Sequence, residues 1–273
     1  MSHIYYSELC LIGGDVSRNV DRLVEAGADG VELMLDGAGW DGVYDRPGDY
    51  ASALAGKGVA YSVHVPVWDA NLTSENPRIR EATAASYRFS IEFAALIGAR
   101  HVVLHPGYIS DPRFSRHAAM ERARDAVVAL VSFNEAYGRS LLVENIGSRD
   151  SCIFTEGQYA AFLNGFPPEV GYVVDVGHAN VCGWRLESLL PALGPRLRAL
   201  HLHDNDGRSD AHAPIGRGTV DWASVMAAAG RGGADPILVL EYDVGTDLRR
   251  LAEGKAFLLG TTSTQGGEDD EDH

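Results

Sequence analysis

The chain has 273 residues, 45% of them hydrophobic and 22% charged, which is enough to bury one large core. Its formal net charge is −15, and setting aside the five acids from Glu268 to Asp272 still leaves ten more acidic than basic residues. Broad electrostatic binding to nucleic acid needs a basic surface, so this balance disfavours nucleic acid as a partner.

No apolar run reaches the length of a membrane span, and the N-terminus lacks the basic start and apolar stretch of a secretory signal. The three cysteines, Cys10, Cys152 and Cys182, form no CxxC spacing and are odd in number, which indicates reduced thiols. We therefore expect a cytoplasmic protein that has no membrane partner and acts on a small molecule. The sequence indicates no oligomeric state.

Short β-branched apolar runs alternate with helical patterns from one end of the chain to the other. The periodicity predicts strands within residues 4–12, 30–35, 59–65, 101–105, 140–144, 172–175, 199–203 and 237–241. Helices are predicted near residues 17–26, 50–56, 77–97, 116–137, 156–163, 186–193, 222–229 and 247–259. Ser17 is the expected N-cap of the first helix.

Eight strand–helix units in about 250 residues predict an α/β protein with a single (β/α)8 TIM barrel over residues 1–260. A doubly wound open sheet is the alternative, but the glycine pair Gly13-Gly14 after the first strand is too short for a dinucleotide fingerprint. The polar and acidic residues 261–273 predict a disordered tail.

Metal-ligating side chains recur where the predicted strands end, from the third strand to the eighth. Because the C-terminal ends of barrel strands converge on one face, these side chains should surround one cavity. They are His64, His105, Glu144, Asp175, His178, His201, Asp210, His212 and Glu241. Five imidazoles among nine ligands favour zinc over magnesium or calcium, so we predict two or three Zn²⁺ ions, with Mn²⁺ or another divalent metal as the alternative.

Other polar residues near these strand ends are expected to have roles other than metal binding. Asp204, Asn205 and Asp206 are predicted to form a turn rather than to bind metal. His203 is expected to face away from His201 and either to support a metal ligand or to be structural. Candidate substrate contacts are Trp68, Asn71, Tyr108, Asn145 and Arg217.

Short motifs around these positions carry a family resemblance that covers about residues 30 to 245. They are Val63-His64, Leu104-His105-Pro106-Gly107, Val143-Glu144-Asn145, Asp175-Val176-Gly177-His178, His201-Leu202-His203-Asp204, Asp210-Ala211-His212, Gly216-Arg217-Gly218 and Leu240-Glu241. This set resembles the xylose isomerase-like TIM barrel superfamily, which includes endonuclease IV and the sugar phosphate isomerases/epimerases. The motifs are specific for the superfamily and do not indicate the substrate.

The resemblance implies one of two metal arrangements. The isomerases and epimerases need only four positions, which correspond here to Glu144, Asp175, His201 and Glu241. The three-zinc site of endonuclease IV uses nine positions, and each has a counterpart here. It would place His64, His105 and Glu144 on the first zinc; Glu144, Asp175, His201 and Glu241 on the second; and His178, Asp210 and His212 on the third.

The chain also departs from endonuclease IV. The Gly-Ala-His-Val-Ser type motif of its first strand is replaced by Gly13-Gly14-Asp15-Val16-Ser17, and basic loops interleaved with aromatic residues are missing. We therefore predict a metal-dependent hydrolase acting through a metal-activated water on a small phosphorylated, esterified or amide-linked metabolite, with Glu144, Glu241 and His178 as catalytic residues. A sugar or sugar-phosphate isomerase/epimerase is the alternative, and an abasic-site DNA endonuclease is third.

Overall fold

A computed structural model describes residues 4–265 as a closed barrel of eight parallel strands in the sequential order β1 to β8. The strands are β1 (Ile4–Ser7), β2 (Gly30–Met34), β3 (Ala60–His64), β4 (His101–Leu104), β5 (Ser140–Glu144), β6 (Gly171–Asp175), β7 (Leu197–Leu202) and β8 (Ile237–Leu240). Pairing of β1 with β8 closes the barrel. The predicted single (β/α)8 barrel is confirmed.

The helices surround the barrel and follow the strands in chain order. They are α1 (Val16–Glu25), α2 (Pro47–Leu54), α3 (Pro77–Leu96), α4 (Arg116–Asn134), α5 (Glu156–Phe162), α6 (Val176–Cys182), α7 (Leu186–Leu193), α8 (Trp222–Arg231) and α9 (Leu248–Gln265). The short helix α6 was not predicted, because it begins directly after β6 with no intervening loop to signal its start. Helix α9 continues five residues past the expected domain end at residue 260, and the rest of the predicted tail, residues 266–273, lies outside the described residues.

Side-chain caps determine where several helices begin. Asp15, and not Ser17, caps α1, because its Oδ1 accepts a hydrogen bond from the backbone N–H of Arg18. The Ser17 prediction was therefore wrong by two residues. Within residues 4–265, no helix combines the length and the apolar character needed to cross a membrane.

The strand pleat explains why metal-type side chains gather at one end of the barrel. Val103, Leu142, Val173 and Ala199 pack together as a small buried cluster. The residues two positions later on the same strands or just past them are His105, Glu144, Asp175 and His201. Because residues i and i+2 share a face of a strand, the polar set forms the layer directly above this apolar floor.

Close packing inside the barrel predicts the effect of a substitution on β2. A Cβ atom on Gly30 would overlap the ring of Tyr5 on the neighbouring strand, so Gly30→Ala should lower the free energy of unfolding by about 1–3 kcal/mol. The control is Gly48→Ala in α2, where nothing lies within 4 Å of the added Cβ and the protein should gain about 0.5–1 kcal/mol. Chemical denaturation of both variants checks this. Equal stability of the two would contradict the packing described.

Candidate metal centre

The predicted donor side chains meet at the C-terminal mouth of the barrel. Donor atoms within 4.8 Å of one another form three groups: His64, Glu144 and His201; Glu144, Asp175, His201 and Glu241; and His178, His203, Asp210 and His212. His105 lies outside these groups, but its Nε2 is 3.2 Å from Glu144 Oε2. The structure therefore brings all nine predicted residues together and adds His203.

Glu144 connects the groups through its two carboxylate oxygens. Its Oε2 faces His64 Nε2 at 3.1 Å as well as His105, whereas its Oε1 faces His201 Nδ1 at 3.3 Å and His178 Nδ1 at 3.7 Å. A carboxylate whose two oxygens point at different sets of imidazoles has the geometry needed to bridge two ions.

Three histidines are oriented by the backbone at the strand ends. Each has its Nδ1 within 2.8–3.1 Å of a carbonyl oxygen, which acts as acceptor, and its Nε2 facing a carboxylate. The pairs are His64 with Val65, His178 with Asn145, and His212 with Glu241. An imidazole that donates through Nδ1 keeps the Nε2 lone pair free for a metal, so the barrel backbone sets the tautomer of these ligands.

The environment of His201 tests whether a metal ion fits the site. Its Nδ1 lies 3.3 Å from Glu144 Oε1 and 3.2 Å from Glu241 Oε2, yet this buried nitrogen makes no hydrogen bond. An unpaired buried nitrogen is costly unless something else satisfies it. A divalent cation between one imidazole and two carboxylates would satisfy all three groups, so the residues present fit the ion.

The third group contains two parallel imidazoles. The rings of His203 and His212 stack with centroids 3.7 Å apart and an angle of 13° between their planes. Because imidazole lone pairs lie in the ring plane, one ion cannot lie in both planes and take both rings. We assign His212 to this group, since its Nε2 is 3.4 Å from Asp210 Oδ2, while His203 Nε2 lies 3.0 Å from Asp175 Oδ1.

His203 thus positions Asp175, and its environment is built for that contact. It follows His201 by two residues, and residues i and i+2 of a strand share a face, so the prediction that it faces the other way was wrong. A Cβ atom on Gly177 would overlap its ring, so glycine at this position admits the imidazole. His212 is the one non-glycine residue among residues 4–265 with positive φ, at 41°, and such strain clusters at functional sites.

Asp204 organises the loop that carries Asp210 and His212. Its buried carboxylate accepts hydrogen bonds from Trp222 Nε1 at 3.0 Å and from the backbone N–H of Gly216 at 2.9 Å. Its own backbone pairs with Ala213, the residue after His212. The turn-forming role predicted for Asp204 fits these contacts.

Burial and the neighbouring charges shift the pKa values of these side chains in opposite directions. Burial favours the neutral form of Glu144, but the facing imidazoles of His201 and His105 hold its pKa well below the usual range. Burial should lower the pKa of His64, but its hydrogen bond and attraction to Glu144 raise that pKa to about 9. His212 reaches a pKa of about 9 through Asp210 and Glu241, again against burial.

The predicted substrate contacts fall into two sets. The amide of Asn71 is engaged with the backbone of Tyr108 and Thr73, and that of Asn145 bonds both the N–H and the carbonyl of Asp175. We expect these two asparagines to position loops rather than to touch a ligand.

The other three predicted contacts lie on loops at the mouth. Trp68 is 53% exposed after β3, Tyr108 is partly exposed after β4, and Arg217 is exposed between β7 and α8. Their direct contact with a substrate stays a prediction.

Two polar residues of the first strands were missed by the sequence analysis. Ser7, at the end of β1, donates a hydrogen bond to Glu241 Oε1 at 3.4 Å. Glu32 lies fully buried in the middle of β2, with Oε1 2.9 Å from His201 Nε2. An acid inside the apolar run Gly30–Met34 was the available signal, since a buried charge needs a partner.

The comparisons with known proteins agree with this architecture. An uncharacterized protein of Methanocaldococcus jannaschii is 26% identical over 259 residues, covering 92% of this chain and 86% of its own length. A probable endonuclease 4 of Mycobacterium tuberculosis is 29% identical over 252 residues, covering 86% of this chain and 94% of its own length. The crystal structure of a D-tagatose 3-epimerase-like protein superposes with a TM-score of 0.82 at 21% identity, covering 97% and 98% of the two chains.

The profile of one protein family, described as the xylose isomerase-like TIM barrel, matches residues 20–259. This match spans the strands from β2 to β8 and every donor residue of the metal centre. The chain belongs to the xylose isomerase-like TIM barrel family.

Proposed function

We propose that this protein is a metal-dependent hydrolase of a small phosphorylated, esterified or amide-linked metabolite. The observation that carries the proposal is the complete third donor group, His178, Asp210 and His212, beside the four-residue group of Glu144, Asp175, His201 and Glu241. An enzyme that needs a single ion for isomerisation has no use for the additional group, whereas a multi-metal hydrolase needs it.

Zinc is the proposed metal, in two or three ions per chain, with Mn²⁺ or another divalent metal as the alternative. The mixture of imidazole and carboxylate donors supports zinc over ions that prefer oxygen-only shells. When bound, such ions would supply a water that is acidic enough to attack near neutral pH, and positive charge that stabilises the transition state.

Side chains of this chain would hold and orient the reacting groups. Glu144 would bind two ions at once through its separate oxygens, and Glu241 would be steadied by the hydroxyl of Ser7. His178, with Nδ1 bonded to the Asn145 carbonyl, would present Nε2 to an ion shared with Asp210, and the positive charge of that ion would stabilise a leaving group. These roles make Glu144, Glu241 and His178 the proposed catalytic residues.

A small substrate suits the charge of the chain better than DNA does. The net charge of −15 opposes binding to a polyanion except where metal ions cancel carboxylates locally. Trp68, which is exposed in the loop that follows β3, could stack on a ring of a small ligand. Abasic-site endonuclease activity is therefore ranked below hydrolysis of a metabolite, although the curated relatives include probable endonucleases.

Epimerisation of a sugar is the second candidate, favoured by the four-residue group alone. Glu144 and Glu241 lie 3.3 and 3.2 Å from His201 Nδ1, and two neighbouring carboxylates could remove and return a proton at a carbon beside a carbonyl. The likeness in fold to a D-tagatose 3-epimerase-like protein supports this candidate.

The two candidates differ in whether they need the third donor group. We predict that His212→Ala lowers both zinc content and hydrolysis of bis(p-nitrophenyl) phosphate by at least about tenfold, since loss of a ligand releases its ion. His105→Ala should act similarly on an ion held by His64, His105 and Glu144. The matched control is His117→Ala on the exposed surface of α4, where the side chain is 77% exposed and both quantities should be unchanged.

A different outcome would select the epimerase. If His105→Ala and His212→Ala fold, retain one ion and convert D-tagatose to its epimer at the rate of the unmodified protein, the hydrolase proposal is wrong. Circular dichroism of each variant confirms folding, and nicking of abasic duplex DNA is measured in parallel to test the third candidate.

Proton release provides a test of metal binding that needs no substrate. In the metal-free protein the pKa values of His64 and His212 are raised to about 9, so both imidazoles are in the doubly protonated, positively charged form at pH 7. A ligating nitrogen must lose its proton, so zinc affinity should rise with pH up to about 9, roughly tenfold per pH unit for each proton displaced, and level off above it. Calorimetry in buffers of different ionisation enthalpy measures the release. Zinc binding at pH 7 without proton release would contradict this account.

A further inference from the structure

Strand β2 supplies none of the nine donors, yet it places a carboxylate beneath the metal centre. Glu32 is fully buried, with Oε1 2.9 Å from His201 Nε2. Its Oε2 accepts a hydrogen bond from Ser62 Oγ at 2.9 Å and faces His101 Nε2 at 3.5 Å. Glu32 therefore contacts Nε2 of the His201 ring, the nitrogen opposite the one that faces Glu144 and Glu241.

His201 uses its ring differently from the other ligand histidines. His64, His178 and His212 turn Nδ1 towards a carbonyl and Nε2 towards the donor groups, whereas His201 turns Nδ1 towards Glu144 and Glu241. For Nδ1 to bind an ion, the ring proton must reside on Nε2. No backbone carbonyl among residues 4–265 bonds that nitrogen, and Glu32 occupies the corresponding place.

The contact between Glu32 and His201 is close but not fully aligned. The two atoms are 2.9 Å apart, which is a hydrogen-bonding distance, yet neither makes a hydrogen bond in the metal-free structure. Carboxylates therefore face both nitrogens of the His201 ring, and neither nitrogen makes a hydrogen bond.

We propose that Glu32 is a positioning residue of the metal centre, which keeps His201 in the Nε2–H tautomer and adds a negative charge below the ions. The inference rests on the metal centre of the proposed function and not on the reaction carried out there. Packing alone does not account for a carboxylate at this place, because replacing a buried ion pair by neutral side chains is often neutral or stabilising.

The test compares the zinc affinity of two variants, each with one buried glutamate changed to glutamine. Glu32→Gln keeps the shape but removes the charge and one acceptor, and should weaken zinc binding by about 10- to 100-fold. The control is Glu8→Gln, where the buried carboxylate accepts hydrogen bonds from Asn19, Trp40 and the N–H of Met34 and faces no imidazole of the centre, so zinc affinity should stay within about threefold of the unmodified protein. Competition with a chromophoric chelator measures affinity, and thermal melting of the metal-free proteins shows that each variant folds.

The outcomes separate this inference from the proposed function. Tight zinc binding by both the unmodified protein and Glu32→Gln would overturn the role of Glu32 alone, whereas failure of the unmodified protein to bind zinc would overturn the proposed function. If Glu32→Gln does not fold, the long-range ¹H–¹⁵N spectrum of the zinc-loaded protein decides, with His201 identified by its loss in His201→Gln. A proton on Nε2 of His201 supports the inference, and a proton on Nδ1 overturns it.

Discussion

The structure depends on how buried negative charge is compensated inside the barrel mouth. Glu32, Glu144, Asp175 and Glu241 are each at most 3% exposed, and removing several carboxylates from water is expensive unless positive charge faces them. Imidazoles face all four, and their pKa values respond: those of His201 and His178 are raised well above the ordinary value by the surrounding carboxylates, in spite of burial. Divalent ions could take the place of these protons, because imidazole and carboxylate ligands bind metal in their deprotonated forms.

The barrel backbone supplies the order that this cluster requires. Three of the ligand histidines, His64, His178 and His212, donate to carbonyls at the ends of β3, β5 and β8, so their tautomers follow from strand positions. Asn145 extends the contact between β5 and β6 by bonding the N–H and the carbonyl of Asp175. The register of the strands therefore fixes both the closed barrel and the positions of the donor side chains. A shift of one strand would displace a ligand.

Much of the fold and the donor set could be predicted because both follow short periods in the sequence. The two-residue alternation that ends in Glu144 or Asp175 is visible without coordinates, since each lies two positions after an apolar floor residue. Glu32 was missed because it lies in mid-strand, where only the neighbouring strands reveal its partner His201. The side on which His203 lies was predicted wrongly, because residues i and i+2 of a strand share a face and His203 therefore turns to the side of His201.

The central claim is that the three donor groups hold more than one metal ion. Crystals of the protein purified without chelators, with diffraction recorded on both sides of the zinc absorption edge, locate and count the ions directly. The account predicts at least two anomalous peaks, one beside Glu144 Oε2 with His64 and His105 and one between Glu144, Asp175, His201 and Glu241, and assigns a third to His178, Asp210 and His212. A single peak, confined to the group of Glu144, Asp175, His201 and Glu241, would contradict it.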